Sequence, residues 1–192
     1  MSTVERLPIV VYPDPFLTRM CRAITPEEFK AGAAGDWKLE ELVERMKETM
    51  YVEEGIGLAA PQVGVGLRIF TLDTSKDRSG FLAVFNPELS GQHGSALEEE
   101  GCLSIPGVRA KVKRFTHLKL SGQNVKGEPF AIENDELIAR VCQHEFDHLN
   151  GVLFINRVGM AGKLRIRRKL MELEEDYALS QARAGRTAGV KR

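Results

Sequence analysis

The chain has 192 residues, of which 43% are hydrophobic, with 27 basic side chains against 27 acidic ones. This is enough apolar sequence for one domain with its own core, and disulfides are not needed to hold it. The balanced charge gives no overall field to draw nucleic acid or anionic lipid, and no stretch nears the ~20 apolar residues of a membrane-spanning helix, so neither DNA nor a membrane is an expected partner.

Residues 7–12 read as an extended segment closed by the turn Pro13-Asp14-Pro15, and residues 16–21 as a helical turn. Ile9-Val10-Val11 is too short for a signal peptide, and the three cysteines have no scaffold spacing. They read as free thiols in a reducing compartment, which makes the cytoplasm the expected location. Residues 30–36 read as a loop. Leu39, Leu42, Val43, Met46 and Met50 recur at helical spacing and predict a packing helix over about residues 39–53.

Gly55-Ile56-Gly57-Leu58-Ala59-Ala60 matches the loose dinucleotide fingerprint G-x-G-x-x-A. The context excludes it: a helix precedes, and Pro61, Gly64 and Gly66 prevent one from following. An irregular extended segment that another backbone can approach closely fits better. Strands are predicted over residues 67–73 and 81–86. The run Glu98-Glu99-Glu100 reads as a solvated turn before Cys102. Residues 108–120 alternate well enough for a pair of strands, and residues 129–132 add another.

The stretch from Leu137 to Asn150 predicts a helix, with Asn134 and Asp135 at its start and Gly151 just past its end. Its apolar residues occupy more than one stripe, as in a core helix. It contains H-E-x-x-H, with His144 and His148 one turn apart on the same face, so both imidazoles can grip one metal ion. Glu145 sits beside that face, in reach of a water and not itself a ligand. A catalytic metal site takes three protein ligands and keeps one position open. His93, His117 or a carboxylate could supply the third ligand; Cys102 is the most economical choice, since sulfur binds zinc and ferrous iron well. Residues 152–155 read as a short buried strand or extended run, and a last helix is predicted over about residues 163–179. Short strands with three helices indicate an α+β domain over residues 1–180, and the basic residues 181–192 are expected to be a disordered tail.

Three stretches, G-I-G-L-A-A-P-Q-V-G at 55–64, E-G-C-L-S at 100–104 and Q-H-E-F-D-H-L-N-G at 143–151, resemble the signature motifs of peptide deformylase, in that family's order. Tyr12-Pro13-Asp14-Pro15 and Glu48-Thr49-Met50-Tyr51 are similar to the family too, and the likeness runs from about residue 7 to about residue 158. The resemblance implies short β-sheets wrapped round a central metal-binding helix, with a C-terminal helix. It implies removal of the N-formyl group from formylmethionine on newly made polypeptides, with release of formate. By this resemblance Cys102, His144 and His148 hold one divalent metal, with ferrous iron as the native ion and zinc as the alternative. Glu145 is the general base and acid on a metal-activated water. Gln62 and the backbone N–H of Leu103 stabilise the oxyanion, while Gly55, Ile56 and Gly57 receive the peptide backbone. Ile56, Leu137 and Val141 are expected to line the methionine pocket, and Arg140 to cover its rim. One departure is Asn156, where the family often has Asp in L-F-x-D-R; it is expected to affect local pairing and not chemistry.

The rival readings are an H-E-x-x-H peptidase that cuts internal bonds and a closed structural zinc site in a binding module. Two further expectations are specific to this chain. Asp147 is expected to pair with Arg114. From residue 163 onward nine cations stand against four anions, a local charge of +5, and this basic helix and tail are expected to meet the ribosome surface.

Overall fold

The computed structural model describes residues 4–189, with side chains described through residue 183. The N-terminal segment is extended, and Pro15–Thr18 forms a single 3-10 turn. A helix that the sequence pattern did not predict follows, α1 (Pro26–Ala31), started by a capping box between Thr25 and Glu28. Residues 30–36 are more than a loop, because β1 (Ala33–Ala34) pairs there with β2 (Trp37–Lys38). Helix α2 (Leu39–Val52) buries Leu39, Leu42, Val43, Met46 and Met50, the residues its periodicity marked.

Strands β3 (Gly57–Ala59), β4 (Ile69–Leu72) and β5 (Leu82–His93) come next. They are followed by β6 (Ala96–Cys102), β7 (Ile105–Arg114), β8 (His117–Gln123) and β9 (Pro129–Asp135). The antiparallel order β3-β4-β5-β8-β9 makes one five-stranded sheet, while β6 and β7 form a separate ribbon. The two strands expected within residues 108–120 therefore exist but belong to different sheets. Residues 98–100 lie in β6 and not in a solvated turn, and Glu100 is buried. A charge run looks solvated until partners from distant segments meet it.

The sheet carries a helix on each face. Ile69 and Phe85 pack with the buried face of α2, whereas Phe70, Leu72, Val84, Leu118 and Leu120 pack against α3 (Glu136–Leu149). Alternation along β4 serves both cores, which is why every residue of that strand is buried. Gly151, just past α3, has φ +69, and a Cβ there would lie 2.4 Å from the Thr18 carbonyl oxygen, so the end of this helix requires glycine.

Residues 152–155, expected to be extended, lead into a short helix, α4 (Phe154–Arg157). The Asn156 side chain accepts a hydrogen bond from the Leu153 N–H at 3.0 Å, a cap that either Asn or Asp can provide. Helix α5 (Met160–Gly189) packs Ile166 and Leu173 on Val108 and Val112 of β7 and on Phe154. It runs past the expected end at residue 179, so residues 181–189 continue as helix instead of an irregular tail; residues 190–192 of that tail lie outside the described residues. Alanines at 182, 184 and 188 are strong helix formers and carry the run onward. Among the described residues, no helix is long and apolar enough to cross a membrane.

Candidate active site

Helix α3 presents its two histidines to the end of β6. The ligand atoms of Cys102, His144 and His148 all lie within 4.8 Å of one another, and they form the single such His/Cys/carboxylate group among the described residues. Cys102 Sγ is 3.3 Å from His148 Nε2. The sequence left the third ligand open; the fold brings Cys102 to the pair, while His93 and His117 lie elsewhere, at the ends of β5 and β8.

These residues fit a metal ion by three observations. His144 Nδ1 is held 3.0 Å from Glu100 Oε2, which leaves Nε2 as its ligand atom and supplies the carboxylate partner that metal-binding histidines need. Burial disfavours charge on His144, but Cys102 and Glu100 beside it outweigh this and push its pKa up to about 10. The site thus stabilises positive charge. Burial and the neighbouring His144 hold His148 well below its ordinary value, in the neutral form a ligand requires. Finally, Glu145 Oε2 is buried without a hydrogen-bond partner, a costly arrangement in a site with nothing to bind.

Glu145 is deeply buried, and desolvation raises its carboxyl to about 7 despite the nearby His144. A group poised there can both take and give a proton near neutral pH. Room for it comes from Gly57: a Cβ at that position would lie 2.3 Å from Glu145 Oε1 and 2.9 Å from Val141 Cγ1. The glycine of β3 therefore serves the carboxylate of α3.

Gln62 follows β3 in a 3-10 turn over Ala60–Val63. Its Oε1 accepts from the Ala59 N–H at 2.8 Å, which aims Nε2 at Cys102 Sγ and Ser104 Oγ, each 3.3 Å away. Leu103 lies in the two-residue turn between β6 and β7. A cleft of about 670 Å³ opens over these groups, and Gly55, Ile56, Gly57, Gln62, Cys102, Leu103, Leu137, Arg140, Val141, His144 and Glu145 all line it. Ile56 and Leu137 expose apolar surface at its mouth, whereas Val141 is buried.

Arg140 is not a free rim residue. Its guanidinium donates to Glu98, Glu100 and the carbonyls of Val112 and Ala96, so it fastens α3 to the β6–β7 ribbon. Sequence reasoning missed Glu100, which accepts from Arg114, Arg140 and His144 together. Its position two residues before Cys102 was the available signal. The expected pair of Asp147 with Arg114 forms at 2.5 Å, and Arg157 joins the same carboxylate.

The family model described as polypeptide deformylase matches residues 6–163. The chain belongs to the polypeptide deformylase family. It is 40% identical over 169 residues to a peptide deformylase of Acidobacterium capsulatum, covering 87% of this chain and 95% of that one. To the enzyme of Thermotoga maritima it is 43% identical over 166 residues, covering 86% and 94%. Among solved structures, a Plasmodium falciparum peptide deformylase superposes with TM-score 0.81 at 35% identity, covering 90% of this chain and 98% of that chain. A plant peptide deformylase gives 0.83 at 35%, covering 92% and 93%. Deformylases are metal-dependent hydrolases that remove the N-formyl group from nascent peptides, and the α+β fold with its C-terminal helix is theirs. The present chain is such an enzyme.

Proposed function

We propose that Cys102, His144 and His148 hold the metal, that Glu145 moves the proton, and that Gln62 and the Leu103 N–H bind the formyl oxygen as it becomes an oxyanion. The observation that carries this reading is the convergence of Glu145, Cys102, His144 and the Gln62 amide on one cleft, with buried His148 against Cys102 behind it. A bound divalent ion would supply Lewis acidity, bringing the pKa of a water from about 15.7 towards 7. Glu145 Oε2, buried and without a partner, takes the proton of the attacking water and returns it to the leaving amine, so that formate and a free methionyl amine result. Gln62 is held by Ala59 with its amide N–H groups directed at the Cys102 side of the cleft, so only a small shift from its long contacts to Cys102 and Ser104 is needed as charge develops. One such donor contributes roughly 3–4 kcal/mol, or 10²–10³ in rate.

β3 is an edge strand, and Gly57 at its start lines the cleft with Gly55 and Ile56 before it. The substrate backbone lies along Gly55, Ile56 and Gly57 by strand addition. Ile56, Leu137 and Val141 receive the methionine side chain, with Arg140 supporting the wall behind them. Discrimination against an acetyl group is steric, since the space above the ligands is bounded by Glu145, Gln62 and Leu103.

Ferrous iron is the native ion in this reading, with zinc as the substitute that bench handling favours. Residues 1–180 act as a single catalytic unit, the protein works in the cytoplasm, and the basic C-terminal helix and residues 181–192 meet the ribosome. The test pairs anaerobic metal analysis with assays on formyl-Met, acetyl-Met and unblocked peptides. Rapid turnover of the formyl peptide alone is expected, at one metal per chain. Glu145→Gln should retain that metal and lose roughly 10²–10⁴ in turnover. A metal-free or near-normal variant would contradict the assigned role.

A further inference from the structure

The chain has only four histidines. Two belong to the site described above; the others, His93 and His117, meet each other. They are register partners on β5 and β8, and their rings stack with centroids 4.7 Å apart and planes within 11°. On the other side of β8, the register partner of His117 is Asp135 at the end of β9. Directly paired residues on neighbouring strands point to one face, so the three form a row across three strands. A bulge between Ser90 and His93 re-aims the first histidine into that row.

In both rings Nδ1 is engaged, which leaves Nε2 for a ligand. His93 Nδ1 lies 2.9 Å from the Gly91 carbonyl oxygen, which can only accept, so Nδ1 carries the hydrogen and Nε2 keeps its lone pair. His117 Nδ1 is engaged 3.0 Å from Thr116 Oγ1, again leaving Nε2 outward. Support of one ring nitrogen by a carbonyl or hydroxyl is the usual surrounding of a histidine that ligates through the other. Asp135 adds an independent oddity. It occupies the N-cap of α3, yet its side chain makes no capping hydrogen bond and is exposed. The next residue, Glu136, sits at φ +44, a strained value for a side chain other than glycine. The carboxylate has given up its ordinary capping role at a strained junction.

We propose that His93, His117 and Asp135 form a second divalent-metal site, separate from the catalytic one, that takes a late transition ion such as zinc. Two imidazoles and a carboxylate suit that class of cation, and water completes its shell. The ligand atoms do not yet converge as those of the catalytic group do. The stacked rings must turn out of the stack to share an ion, and all three side chains are exposed, where rotamers change within picoseconds to nanoseconds. The ion would clip the ends of β5, β8 and β9 together where α3 begins, since the Glu136 N–H already binds the Thr116 carbonyl at 2.7 Å.

The test uses enzyme whose catalytic site is already filled with zinc, titrated with further zinc in a calorimeter in a non-chelating buffer. Wild type should bind a second equivalent, and His93→Ala/His117→Ala should not, while it keeps the first equivalent and normal formyl-peptide hydrolysis. Asp135→Asn should weaken the second equivalent by roughly tenfold or more, the scale of loss when metal support is disturbed. Absence of a second equivalent in wild type, or its survival in the double variant, overturns the site. Unchanged affinity in Asp135→Asn overturns the three-residue ligand set.

Discussion

At the scale of single residues, the active site depends on what is missing from Gly57. Only a hydrogen separates its backbone from the Glu145 carboxylate, because a methyl group would sit 2.3 Å from Oε1. Gly57→Ala must therefore displace Glu145 or lift β3 away from α3. Turnover should fall by about 10² or more, since general acid–base catalysis contributes 10²–10⁴, while metal content stays near one per chain. Wild-type turnover in this variant would show that Glu145 has more freedom than the packing allows. The three cysteines provide a second residue-scale test. Burial pushes the Cys21 thiol to about 11 and Cys142 to about 12, so both remain protonated and shielded at neutral pH. Cys102 alone borders the cleft. On the proposed ligation its lone pair is committed to the ion, so it should resist alkylation in loaded enzyme and react after chelation, with mass spectrometry locating the label. Equal labelling in both states would point to a different third ligand.

At the scale of elements, α3 is fixed to the β6–β7 ribbon by a buried charge network instead of apolar packing alone. Glu100 binds Arg114, Arg140 and His144, and Asp147 binds Arg114 and Arg157. Burial by itself would raise the Glu100 carboxyl, but the hydrogen bonds from His144 and Arg114 hold it down to about 2, from an ordinary value of 4.5. The folded value lies below the unfolded one, so the stabilisation is complete above about pH 4.5 and is lost as pH falls towards 2. Glu100→Gln leaves Arg114 short of a partner and should cost about 3–5 kcal/mol at pH 7. It should also flatten the fall in stability across that acid window. Urea unfolding of both proteins from pH 7 down to pH 2 measures this, and parallel curves would contradict the role given to Glu100. This network is also where the sequence was hardest to read. The period of α2, the H-E-x-x-H face of α3 and the start and stop of α3 are local patterns, and they were legible. Glu100 was not, because its partners come from β7 and α3 and its own neighbours are exposed acids. Residues 152–155 misled for a related reason. Their apolar run fits a buried strand or a buried helical turn equally, and the Asn156 cap decides for the helix. Cys102 was one candidate among several until β6 carried it to the histidines.

At the scale of the whole molecule, charge is unevenly spread. The chain is neutral overall, yet residues from 163 onward carry +5, so residues 1–162 carry −5. Lys163, Arg165, Arg167, Arg168 and Lys169 are all exposed on the first turns of α5, where the helix dipole gains nothing from positive charge. Ile166 and Leu173 of the same helix are buried in the core with β7, and Tyr12 donates a hydrogen bond to Glu174 at 2.5 Å. The helix thus has an inner face that belongs to the fold and an exposed outer face rich in positive charge, part of it paired with Glu172. Deleting residues 163–192 would remove both at once and confuse docking with stability. Replacing Lys163, Arg165, Arg167 and Arg168 by Gln separates them, because those side chains are exposed and Gln is a good helix former. Hydrolysis of a short formyl-Met peptide should stay within about twofold of wild type, as each surface change of this kind shifts stability by no more than about 0.5 kcal/mol and none touches the cleft. Binding to ribosomes, followed by co-sedimentation over a salt series, should weaken. The slope of log affinity against log salt should become shallower by about 0.7–0.9 for each phosphate that is no longer neutralised. If the substituted protein sediments with ribosomes as well as wild type at low salt, with the same salt slope, the basic face of α5 has no part in docking.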